Sequence, residues 1–79
     1  MKARITVFLK KNILDPQANT IKTALKELNF HNIHDLRMGK VFEIQIQETN
    51  EEKALEQLTA MCKQLLINQV VEDYQIEFL

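Results

Sequence analysis

A chain of 79 residues, 46% hydrophobic and 27% charged, has the composition of a folded domain and room for one core, so residues 1–79 are read as a single domain and not as a disordered tail. Ten Lys and Arg against eleven Asp and Glu leave a net charge of −1, which makes no electrostatic case for nucleic acid or an anionic membrane surface. Apolar runs such as Val7–Leu9 and Leu65–Ile67 fall far short of the roughly 20 residues that span a bilayer. The N-terminus also lacks the apolar region of a signal peptide, and a single cysteine points to a reducing, cytoplasmic compartment.

Residues 3–10 alternate, with Ala3, Ile5, Val7 and Leu9 on one face and Arg4, Thr6, Phe8 and Lys10 on the other. This is a strand. Asp15-Pro16 starts a helix: an aspartate N-cap accepts from free backbone N–H groups, and proline gives up a donor that has no partner there. Ile21, Ala24, Leu25 and Leu28 form its apolar stripe, and Asn29 is placed to end it in the left-handed conformation. Residues 33–38 read as a second strand whose phase stays open, with Ile33, Asp35 and Arg37 on one face and His34, Leu36 and Met38 on the other. Gly39-Lys40 then reads as a tight turn.

Residues 41–47 alternate again, with Phe42, Ile44 and Ile46 inward. Thr49-Asn50-Glu51-Glu52 fits a capping box. The helix that follows carries Ala54, Leu55, Leu58, Met61, Cys62 and Leu65 as its buried stripe and ends near Asn68. Residues 71–78 close the chain as a strand, with Tyr74, Ile76 and Phe78 inward.

The order β-α-β-β-α-β predicts an α+β, ferredoxin-like fold: a four-stranded antiparallel sheet with strands 1 and 3 in the middle and both helices on one face. The other face is left bare. It is mostly polar, with Phe8 and Val41 as apolar exceptions. Isolated exposed apolar residues are common. A chain this small, however, buries only roughly 60% of its unfolded surface, so Phe8 and Val41 are also candidates for self-association, as are unpaired edge strands.

The candidate chemistry is sparse. His31 and His34 have only Asp35 nearby, so no metal site is expected and two surface histidines suffice. Cys62 lies on an apolar stripe, where it reads as a small buried hydrophobe and not as a nucleophile. No catalytic set and no glycine-rich phosphate loop can be assembled. Glu51, Glu52, Lys53 and Glu56 read as a solvated helix start. Lys10 and Lys11 after the first strand, with Arg37 and Lys40 flanking Gly39, are either strand-end solvation or a docking patch for an acidic partner surface.

The fold class hosts many functions. RNA recognition would need aromatic residues on the bare faces of strands 1 and 3, and strand 3 offers Val41, Glu43, Gln45 and Gln47. A metallochaperone would need Cys-x-x-Cys after strand 1, and a ligand-sensing domain commonly has a glycine-rich turn there; the residues present are Lys11-Asn12-Ile13-Leu14. An interaction module remains, with a free-standing module sensing a small ligand at a dimer interface as the alternative.

The run from Val7 to Gln17, containing Leu14-Asp15-Pro16-Gln17 after Lys10-Lys11, resembles the opening signature of the PurS family, the small subunit of phosphoribosylformylglycinamidine (FGAM) synthase. Ala24–Leu28, Asp35–Lys40 with Arg37-Met38-Gly39-Lys40, and Leu65–Tyr74 are similar to later stretches of that family, so the resemblance covers essentially the whole chain. Ala18, Asn29 and Gln69 depart from residues frequent there. The resemblance implies a PurS-like fold and a subunit with no catalytic, cofactor or metal site of its own. It also implies a homodimer, or a tetramer when alone, which bridges an ATP-dependent synthetase subunit and a glutaminase subunit in purine biosynthesis. ATP, Mg and glutamine would be used by those partners, and this chain would support passage of ammonia between them. Lys10, Lys11, Asp15, Arg37, Gly39 and Lys40 are the residues expected at the partner contact.

Overall fold

In the computed structural model, which describes residues 1–79, the alternation of the first strand holds through Val7, after which Phe8 and Leu9 are both half-buried. β1 (Lys2–Leu9) buries Ala3, Ile5 and Val7 on one face. β2 (Gly39–Gln45) and β3 (Glu72–Phe78) pair antiparallel with its two edges, giving the order β2-β1-β3. Ile5 stands opposite Phe42 on one side and Ile76 on the other. Tyr74, Ile76 and Phe78 face inward on β3, as the alternation requires, and pack with Phe42 and Ile44 around the core.

The sheet has three strands where four were expected, and residues 30–38 form no strand. The reason lies at Gly39. It is not a turn: it opens β2 in extended conformation opposite Phe8. With no reversal at that point, residues 33–38 run straight into β2 and cannot fold back on it as a hairpin. Glycine is required there for proximity, because a Cβ at position 39 would lie 2.1 Å from the Val7 carbonyl oxygen. β1 is therefore the sole central strand; the expected second central strand, β2, is an edge.

α1 (Pro16–Glu27) begins as the sequence dictates. Asp15, in extended conformation, accepts from the N–H groups of Gln17 and Ala18 at 3.0 and 3.3 Å, and Pro16 takes the first helical position. Asn29 ends the segment with φ 74°, a conformation that asparagine tolerates better than most residues. The position of α1 is the main departure from expectation. Its stripe does not cover the sheet: Ala18 is its only buried residue, Leu28 is 66% exposed, and no α1 side chain belongs to the core cluster. Residues 10–38 instead form an arm in which α1 lies against its own return segment. The molecule extends 49 × 25 × 15 Å with a radius of gyration of 16.1 Å, against about 12 Å for a compact domain of this length.

α2 (Glu51–Met61) supplies the helical side of the core. Ala54 and Leu58, followed by Cys62, are fully buried, and Ala3, Ile5, Val7, Leu58, Cys62 and Ile67 make one cluster. Its cap differs from a capping box. Asn50 is the N-cap and accepts from the Lys53 N–H at 3.1 Å, while the Glu48 carboxylate accepts from the N–H groups of Thr49 and Asn50. The helix ends in a π turn, Cys62–Leu66, with Ile67 as C-cap just before Asn68. The wider turn shifts the phase of the stripe: Leu65 is 84% exposed, and Leu66 takes the inward place beside buried Ile67. Leu55, also expected in the stripe, is exposed.

Candidate partner interface

The base of the arm is organised by local bonds. The Lys10 N–H donates to the Val71 carbonyl at 2.8 Å, and the Lys10 carbonyl accepts from the Ile13 N–H at 2.9 Å, which turns the chain toward α1. On the return path, the Arg37 guanidinium donates to the Leu9 carbonyl at 3.0 Å and stacks over the Phe8 ring, 4.9 Å from its centroid. Lys22, from the second turn of α1, donates to the His34 carbonyl at 2.8 Å. These contacts tie both legs of the arm to the end of β1.

Between the legs lies a cleft of about 570 Å³, formed by the β1–α1 loop, the first turns of α1 and residues 35–38. Ile13, Leu14 and Leu36 are among its apolar lining residues, and Lys10, Lys11, Lys22 and Arg37 bring positive charge from three segments of chain. Asp15 and Asp35 also line it, but their carboxylates accept from nearby backbone N–H groups. The cleft thus gathers four of the six expected contact residues: Lys10, Lys11, Asp15 and Arg37. Gly39 and Lys40 lie outside it, in β2, where the Lys40 ammonium is 3.7 Å from Glu72 across the sheet. Of the self-association pair, Phe8 is half-buried beneath Arg37, and Val41 is exposed.

Sequence reasoning missed Lys22, which reads as an ordinary solvated helix position until the return segment is placed beside it. It also missed the exposure of the arm's apolar residues. Leu14, Ile21, Leu28 and Phe30 all stand in solvent in the single chain, apolar surface available to another molecule.

Among the other singled-out residues, Cys62 is buried in the core, and its burial pushes the thiol pKa up, away from the thiolate that nucleophilic chemistry needs. His31 and His34 are exposed, and no three His, Cys, Asp or Glu side chains converge. No helix is long and apolar enough to cross a membrane. What the arrangement offers is recognition: a basic cleft with apolar walls and an apolar arm, both held outside the core.

Such a chain is a small α+β binding module. The family model PurS, described as phosphoribosylformylglycinamidine (FGAM) synthase, matches residues 2–79, and the chain belongs to the PurS family. It is 41% identical to the phosphoribosylformylglycinamidine synthase subunit PurS of Methanocaldococcus jannaschii over 96% of this chain and 92% of that one. To the Bacillus subtilis subunit of the same name it is 36% identical over 96% and 89%. The crystal structure of Methanocaldococcus jannaschii PurS, a subunit of formylglycinamide ribonucleotide amidotransferase in the purine biosynthetic pathway, superposes with a TM-score of 0.85 at 43% identity, covering 96% and 92% of the two chains. A chain of the PurLQS structure from Thermotoga maritima superposes with a TM-score of 0.90 at 36% identity, covering 99% and 95%.

Proposed function

We propose that this chain is the non-catalytic small subunit of FGAM synthase, a cytoplasmic ligase complex of purine biosynthesis. It bridges the synthetase and glutaminase subunits and supports the passage of ammonia from one to the other. ATP, Mg and glutamine are handled by the partners. The observation that carries this reading is the near-full-length likeness to a chain of the Thermotoga maritima PurLQS structure. The physical case agrees with it: a charged cleft and an apolar arm lie outside the core.

Self-association belongs to the same reading. Ile21, Leu28 and Phe30 on the arm, with Val41 on the sheet, are apolar surface that a second copy would cover. Phe8 takes part through the Arg37 stack above it. Size-exclusion chromatography with light scattering tests the assembly. The chain alone should elute above its monomer mass, and mixed with synthetase and glutaminase it should join a single complex containing all three. Elution of the partners as an unchanged pair, with this chain apart, would refute the bridging role.

A further inference from the structure

Most cations of this chain fall into two groups, while Lys26, Lys53 and Lys63 stand apart from both and also lack a carboxylate partner. Lys2, Arg4 and Lys40 are paired with Glu43, Glu77 and Glu72. The four around the cleft, Lys10, Lys11, Lys22 and Arg37, have no carboxylate partner. Lys22 and Arg37 are held in place by neutral carbonyls, which fix the side chain without neutralising it. The two acids of the cleft, Asp15 and Asp35, are already engaged by backbone N–H groups. Beside these charges Leu14 is 77% exposed, at the rim of a cavity whose size suits a few side chains of another molecule.

We infer that this cleft is a socket for an acidic segment of a partner subunit, one that sets a carboxylate among Lys10, Lys11 and Lys22 and an apolar side chain against Leu14. The inference rests on the subunit role proposed above and names the chemistry of one contact. This chain cannot readily supply the segment itself. Glu43, Glu72 and Glu77 are in ion pairs, Glu48 is bonded to the backbone before α2, and Glu51 and Glu52 sit in the first turn of α2. Of the remaining acids, Glu27 is on α1, Glu56 shares α2 with Glu51 and Glu52, and Asp73 follows Glu72 on β3. The occupant is therefore placed on a partner subunit, the unpaired α2 acids of a second copy being the alternative that the test reads as lost self-association, and complementary charge should speed encounter as well as hold the contact.

The test titrates the full chain into purified synthetase and glutaminase at two salt concentrations, reading the concentration that gives half-maximal glutamine-dependent activity. The K10E/K11E double variant, and separately K22E, should raise that concentration about tenfold or more and flatten its dependence on salt. K53E/K63E makes the same charge change on α2 and the π turn that follows it, away from the cleft, and should stay within about twofold of the native chain. Circular dichroism checks that each variant is folded, and light scattering checks its mass. Equal effects of the cleft and α2 variants, or no effect of the cleft variants on a working complex, would overturn the socket and leave the subunit role standing. A cleft variant that loses self-association instead would assign the cleft to a second copy and likewise overturn it. A native chain that supports no glutamine-dependent activity would overturn both.

Discussion

Replacing Gly39 with alanine separates a structural residue from a contact residue. The added Cβ would lie 2.1 Å from the Val7 carbonyl oxygen, 2.9 Å from Phe8 Cδ1 and 3.1 Å from Phe8 Cε1. The first of these is a backbone atom of the central strand and cannot swing aside. Ordinary contact needs about 3.5 Å, so the start of β2 must retreat by more than about 1 Å. That retreat would break the end of the β1–β2 ladder at the Phe8–Gly39 pair. It would also drag Arg37, two residues earlier, from the Leu9 carbonyl and the Phe8 ring.

Overpacking against a rigid neighbour costs about 1–3 kcal/mol, and the coupled losses put Gly39→Ala at the upper end, about 2–3 kcal/mol. For a chain of this length that lowers Tm by roughly 10–20 °C. The assay is thermal unfolding by circular dichroism at one fixed protein concentration, since self-association adds to apparent stability. The reference is Lys40→Ala, which removes a loose 3.7 Å ion pair from an exposed lysine and leaves Glu72 still accepting from the Asn68 N–H; it should cost less than about 1 kcal/mol. If Gly39→Ala melts within about 2 °C of the native chain while assembly fails, glycine is needed at position 39 for the partner and not for the strand.

Leu58→Ala empties a fully buried position in the core cluster and should destabilise by about 2–5 kcal/mol in denaturant titration; a loss under about 1 kcal/mol would mean that the core is not where it is drawn. Ile21→Asp with Phe30→Asp charges the exposed arm and should lower the mass seen by light scattering while β-sheet circular dichroism is retained; an unchanged mass would remove the arm from the self-association surface. Burial raises the Cys62 pKa above that of an ordinary thiol, so with rising pH the unfolded chain loses this proton first. The Cys62 contribution is therefore complete below about pH 9 and is lost as pH rises through the folded value. Cys62→Ala should flatten that alkaline loss, and an identical pH profile for the two proteins would contradict the assignment.

Several elements were legible because local chemistry and tertiary structure agree on them. Asp15-Pro16 marks the start of α1, Asn29 takes the left-handed conformation after it, and the alternation of β1 and β3 places Ile5 and Ile76 inward. The failures arise where periodicity is indifferent to context. The stripe Ile21–Leu25–Leu28 says that α1 has an apolar face but not which molecule covers it, and in the single chain that face does not reach the sheet. Gly39 carries no label distinguishing a turn glycine from one that lets two strands approach closely; the missing fourth strand follows from that one ambiguity. The π turn at Cys62–Leu66 shifts Leu65 outward without any signal in the apolar spacing.

The candidate site was partly legible for a similar reason. Lys10, Lys11, Asp15 and Arg37 stand out as charged residues at element ends, and they do converge on the cleft. Lys22 stands in the middle of an exposed helical face, and only the return of residues 35–38 beside α1 makes it part of the same surface. Gly39 and Lys40 belong to β2 and its neighbours, outside the cleft.

In the proposed role, this chain acts by joining two catalytic subunits. The most direct test measures FGAM formation with glutamine as the nitrogen source, using synthetase and glutaminase with and without this chain, and repeats the measurement with ammonia in place of glutamine. Glutamine-dependent formation should appear only when the chain is added, while ammonia-dependent formation by the synthetase should proceed without it. Equal glutamine-dependent rates with and without the chain would contradict the account.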